Sequence, residues 1–260
     1  MQSLRSWRRG FLGQYSRYPH IPDPNSYRSC STASRAGFVL CAAQTAFFDR
    51  HHPIGAFLLE HFISNSEATS GPAAYNDQVK FLTSLPFVHV LEWGFIFLPI
   101  LYHALYGLYI WYRGESNVGE YPWSGNWLYT SQRWTGLIAL IYIVYHTYYM
   151  RFTGVHLMGG GYGNAFWKVW NEFQNPWAVA AYVVGIVAAS WHFAYGVWLF
   201  AAKWGITVGD SARRKFGYLC FVLAVALIGI GLWTIKAFLA TPADQVPHSE
   251  APSYESTMLR

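Results

Sequence analysis

Four stretches of this chain are long and apolar enough to cross a lipid bilayer, and that fact restricts the fold more than any other. They run approximately Pro86–Tyr112, Leu128–Met150, Trp177–Trp204 and Phe216–Leu239, against the roughly 20 apolar residues that span a hydrocarbon core of about 30 Å. Charge within them is confined near the ends, at Glu92, Arg133 and Lys236. Lipid offers backbone amides no hydrogen-bond partner, so runs of this kind fold as helices; a membrane barrel shows short alternating segments instead. A fifth apolar run ends near Ser64. The expected fold class is an all-α integral membrane protein, a bundle of five transmembrane helices.

Composition agrees. Only 12% of the 260 residues are charged, about half the usual quarter of a soluble domain. The 13 Trp and 19 Tyr suit two membrane–water interfaces that need anchoring. The net charge of +5 is small and scattered, which argues against a nucleic-acid partner and reads instead as loop charge that sets orientation. Cys30, Cys41 and Cys220 have no CxxC or CxxCH spacing, which argues against a thiolate metal centre, a disulfide framework and covalently attached haem. Arg113, Lys203, Arg213, Arg214 and Lys215 fall in the second-to-third and fourth-to-fifth connections, whereas the long first-to-second loop carries only Lys80 against Glu67 and Asp77. The positive-inside rule then places the N-terminus inside and the C-terminus outside.

Of ten histidines, four lie within the spans, one on each of the first four helices: His61, His103, His146 and His192. A lone intramembrane histidine reads first as a cross-helix hydrogen bond, because polar groups at that depth face the bundle interior. Four, distributed one per helix, read as ligands. His103 and His146 both lie toward the exits of their helices, and successive helices run in opposite directions. Their depths therefore differ by about ten residues, or roughly 15 Å at 1.5 Å per residue. His61 joins His146 in the outer half, and His192 joins His103 in the inner half. Two bis-histidine layers are haem chemistry, whereas zinc or copper wants its ligands in one cluster. Gly107 and Gly196, each four residues after a histidine, and Gly55 and Gly136 on the other two helices leave room for flat macrocycles or for close helix packing.

The strings PIGAFLLEHFISN around His61, SLPFVHVLEWGFIFLPILYHALYGLYI around His103, NWLYTSQRWTGLIALIYIVYH ending at His146 and SWHFAYGVWLFAAKWGIT around His192 resemble the five-helix, two-haem cytochrome b subunit of succinate dehydrogenase. This is the b558 type of Gram-positive bacteria, similar to the fumarate reductase anchor. The resemblance covers roughly Pro53 to Leu239. It implies two b haems, with His103 and His192 on an inner, higher-potential one and His61 and His146 on an outer, lower-potential one. It implies that Arg133, in the QRWTG string, neutralises a haem propionate. It also implies flavoprotein and iron–sulfur partners on the inner face, a quinone (menaquinone or ubiquinone) as electron partner, and residence in the bacterial cytoplasmic membrane. Such an anchor performs no bond chemistry on succinate itself. A related fumarate reductase anchor carries a proton-transferring glutamate two residues before the fourth ligand; here that residue is Ser190, so transmembrane proton movement through that position is not expected.

The resemblance stops at Pro53, where physics objects too. Pro53–Ile63 is only 11 residues, too short to span. Extending it upstream buries Asp49, Arg50, His51 and His52, and each central charge costs about 2.5–3.5 kcal/mol on insertion scales. Codons chosen for Gln44–His52, shifted by one base, read RLHSLTGII, close to the family's usual RLHSLTGVI. The expected organisation is therefore an out-of-frame translation over 1–52, the membrane domain over 53–240 and a disordered polar tail over 241–260. Two readings compete with the preferred one: a two-haem anchor of another respiratory dehydrogenase or hydrogenase, and a haem-free structural anchor.

Overall fold

The computed structural model describes residues 54–114, 118–152 and 165–247, all helical or turn in character. The expected out-of-frame segment 1–52 lies outside the described residues, as do Cys30 and Cys41. Helix α1 covers residues 54–66; α2 is Pro72–Thr83, α3 Val88–Arg113, α4 Ser124–Thr147, α5 Ala165–Glu172, α6 Pro176–Lys203 and α7 Asp210–Ala240.

Among the described residues, three helices are long and apolar enough to cross a membrane, namely α3, α6 and α7. The 24-residue α4 is long enough, but Asn126, Ser131, Gln132, Arg133 and several tyrosines dilute its hydropathy. The described part of α1 is short. Helix α7 starts at Asp210 rather than near Phe216, taking Arg213, Arg214 and Lys215 into its first turns.

Sequence explains the helix boundaries. Pro176 sits at the first turn of α6, where its missing N–H costs nothing, and the Asn175 side chain accepts from the Trp177 amide at 3.0 Å. In the α6–α7 hairpin, Gly205 and Gly209 take φ of 68° and 81°, conformations that glycine alone adopts freely. Within α3, Pro99 removes an amide donor, and the turn just upstream, Glu92–Phe97, widens to a π-helical one that absorbs the ring.

Helix α3 presents Leu91, Leu98, Leu101, Leu105 and Leu108 outward, all exposed. At 3.6 residues per turn this stripe lies about 180° from His103, so lipid on one side leaves the histidine facing the bundle. On α7, Cys220, Ala224, Leu227, Gly231, Thr234 and Phe238 are buried, at alternating spacings of four and three. That is the seam of left-handed helix packing, and it meets α6 where a Cβ at Gly231 would lie 2.7 Å from Ile186. Helix α6 also packs on α4, with the Tyr142 ring lying directly over Gly185.

The tightest core sits at one end of the bundle. Tyr75 from α2, Phe166 and Val169 from α5, Phe173, Tyr182, Ile235, Phe238 and Val246 form one buried cluster. Phe166 and Phe238 are 4.6 Å apart between ring centres. Loop helices α2 and α5 thus close a capped end, while the opposite, basic end carries Arg113, Lys203 and Arg213–Lys215. The Thr241 carbonyl accepts from Trp170 Nε1 at 3.0 Å, and Val246 is buried in the capping cluster, because an aromatic cap needs chain beyond α7 to complete it. Residues 248–260 lie outside the described residues.

Gly185→Leu should drive a side chain into the Tyr142 ring and cost about 1–3 kcal/mol, read as a lowered unfolding midpoint in detergent. Gly229→Leu, which meets nothing within 4 Å, should leave that midpoint unchanged.

Candidate functional site: two histidine pairs

The four intramembrane histidines meet as two pairs. His61 of α1 and His146 of α4 have ring centres 5.7 Å apart with planes at 78°. His103 of α3 and His192 of α6 stand 5.9 Å apart, also at 78°. Each pair joins two helices, and together the pairs draw on four.

The His192 ring is held from α4. Its Nδ1 lies 3.0 Å from the backbone carbonyl oxygen of Gln132. A carbonyl only accepts, so Nδ1 carries the proton and Nε2 carries the lone pair. In return, the Gln132 side-chain amide donates to the His192 carbonyl at 3.0 Å. Gly136 makes the approach possible, since a Cβ there would lie 2.7 Å from His192 Cε1. Near the capped end, His146 Nδ1 lies 3.1 Å from the Tyr182 hydroxyl, and its ring stacks on Tyr142 at 5.6 Å. Asn65 donates to the His61 carbonyl at 2.7 Å and stands 3.4 Å from His61 Nδ1.

Do these residues fit haem? With metal–imidazole bonds of about 2.0 Å, two opposed nitrogens stand about 4 Å apart and the ring centres about 2 Å further, close to the separations seen in both pairs. Among the described residues, no three His, Cys, Asp or Glu gather, so each pair offers two donors, as an axial pair requires. Gly107, one turn from His103, opens onto space with nothing within 4 Å of a would-be Cβ. Two polar atoms at the basic end, Gln132 Oε1 and Arg133 Nε, are buried without partners. The residues fit.

Arg133 has a structural role that the sequence does not display. Its guanidinium donates to the carbonyl oxygens of Trp111 and Gly114, the latter at 2.8 Å. It thereby caps the end of α3 from α4 and satisfies carbonyls that a helix end leaves open. Its Nε–H remains for an anion. Of the glycines, Gly136 seats the His192 ring and Gly55 seats the Phe193 ring, where a Cβ would lie 2.9 Å away, while Gly196 faces only the Gln132 amide at 3.4 Å. Ser190 is fully buried with its hydroxyl unpartnered.

At the capped end, Glu92, Arg151, Lys168 and Glu172 form a polar belt. Arg151 donates through Nε and Nη2 to Glu92, at 3.3 and 3.1 Å, tying α4 to α3. Tyr145 donates to the buried Glu172 carboxylate, and Lys168 donates to the Met150 carbonyl at 2.9 Å. Burial, with Arg151 nearby, pushes the Lys168 ammonium below its ordinary range, and Glu172 partly offsets this. Gln132, Tyr182, Lys168 and Glu172 escape a sequence search because nothing local marks them; only interhelical register brings them to the histidines or to the cap.

Tyr145→Phe should leave the Glu172 carboxylate short of a donor and cost about 1–3 kcal/mol, measurable as a lower unfolding midpoint that Glu172→Gln partly restores.

Residues 115–231 match the family described as succinate dehydrogenase/fumarate reductase transmembrane subunit. The succinate dehydrogenase cytochrome b558 subunit of Bacillus subtilis (strain 168) is 38% identical over 187 residues, which cover 72% of this chain and 91% of that protein.

Proposed function

The chain belongs to the succinate dehydrogenase/fumarate reductase transmembrane-subunit family, and from that premise we propose that it is the two-haem cytochrome b anchor through which electrons pass between an iron–sulfur subunit and membrane quinone. The observation that carries this reading is the pair of imidazole couples, 5.7 and 5.9 Å between ring centres. A b haem in each couple would supply one-electron transfer across the bilayer.

What the chain's own residues do follows from their positions. His103 and His192 would hold one haem, and His61 and His146 the other. The Gln132 carbonyl sets the His192 tautomer, and Gly136 admits its ring. Arg133 offers its remaining Nε–H to a propionate while its Nη2 caps α3. Burial among apolar helices excludes water from both layers and so influences both potentials.

Five spans, the basic end in the bacterial cytoplasm and the capped end outside complete the reading. The basic residues at 113, 203 and 213–215 support that orientation. The flavoprotein and iron–sulfur subunits then dock on the basic end. The first span requires sequence upstream of Pro53 other than that written, which is the content of the out-of-frame proposal. Resequencing across the Pro53 codon checks it, and an unaltered CCC with the frame open upstream would sink it.

The reduced-minus-oxidised spectrum of the complex, purified with its flavin-bearing subunit, should give two haems b per chain. His103→Leu or His192→Leu should remove one haem and leave the other, and His61→Leu or His146→Leu should remove the complementary one. Gly136→Val should mimic His192→Leu. Colourless protein, or haem lost in unpaired fashion among these variants, would contradict the assignment.

A further inference from the structure

The two ligand pairs are held by different chemistry. On His192 the Nδ1 proton goes to a backbone carbonyl, which no side-chain substitution removes. On His146 its partner is a side-chain hydroxyl, that of Tyr182, at 3.1 Å. We propose that Tyr182 is a positioning residue for the outer pair: its hydroxyl oxygen accepts the Nδ1 proton of His146, fixes the tautomer that leaves Nε2 as the ligating nitrogen, and lowers the potential of the haem held there.

The hydroxyl is not adventitiously placed. Tyr182 is 5% exposed, and its ring is gripped edge-on by Phe173 at 4.8 Å, Tyr142 at 5.4 Å and His146 itself at 5.5 Å. A ring held from three sides keeps its oxygen in one place. Ligation through Nε2 requires a proton on Nδ1, so in the loaded protein the imidazole donates and the tyrosine oxygen accepts. Such a bond raises the electron-donating power of a ligating imidazole. More donation stabilises the oxidised iron, and the potential falls. The inference rests on the haem reading above but adds a residue that neither the ligand set nor the resemblance contains.

Tyr182→Phe tests it, because the ring packing survives and only the oxygen leaves. In redox titrations of the intact complex, the outer haem's midpoint potential should move upward while the inner haem's stays where it was. The outer haem's low-spin electron paramagnetic resonance signal should shift as well, with the haem count still two. Phe173→Leu loosens the same ring without removing the oxygen, so it should raise the outer potential by less than Tyr182→Phe does and leave the inner one unmoved. An unmoved outer potential in Tyr182→Phe, loss of the outer haem in that variant, or an equal shift in Phe173→Leu would overturn the proposal while leaving the haem reading intact. Unsubstituted complex that carries no haem in the His61–His146 pair would overturn both.

Discussion

An imidazole in the middle of a bilayer must have partners, and that requirement organises the bundle. Each histidine here is on a different helix: the ring contacts His61–His146 and His103–His192 join α1 to α4 and α3 to α6, and the bonds His146–Tyr182 and His192–Gln132 join α4 to α6. Once those two couples are formed, the rotation of four helices about their own axes is nearly fixed. The outward face of α3 shows the consequence. Its leucines sit opposite His103, so solvating that face in lipid and pointing the histidine inward are one choice, not two.

Packing energy is distributed accordingly. The helix interiors near the histidine pairs are lined by small residues, with Gly136 and Gly185 lying directly under neighbouring rings, while large buried side chains concentrate at the capped end. The aromatic cap of Tyr75, Phe166, Phe173 and Phe238 gathers the large buried rings at that end. The α6–α7 seam supplies the rest, through an ordinary 4–3 repeat that needs no polar group.

Much of this was legible in the sequence, and the reason differs by residue. The apolar runs of α3, α6 and α7 declare themselves by length. Which imidazole faces which followed from helix direction alone, because alternating direction turns position along a helix into depth. The α4 helix was also readable, although its tyrosines and its Gln132–Arg133 pair dilute its apolar character. What stayed hidden depends on register between helices that no local pattern records. Gln132 reaches His192 across 60 positions and Tyr182 reaches His146 across 36. Arg133 announced a charge near a helix end but not that it caps a different helix. Val246 joins the cap from a stretch whose polar, proline-containing composition gives no sign of that contact.

Ser190 shows how a straight helix restricts what a neighbouring position can do. Two residues before His192, it lies about 160° around the helix from that histidine at 3.6 residues per turn. It shares a face with Ala194 and Ala201, both buried, and with Ile186, which meets Gly231 of α7. That face is the α6–α7 seam, not the histidine layer. A carboxylate placed there would have to be solvated within the seam by its own polar partners or water. In this chain the flanking seam residues Ala224 and Leu227 are apolar, and the Ser190 hydroxyl itself is unpartnered. A proton route along the seam needs a succession of such groups, whereas α7 offers alanine, leucine and glycine between Cys220 and Thr234 on its buried face. Ser190 and the apolar character of the opposing helix therefore go together: that side of α6 packs on α7 and the other carries His192.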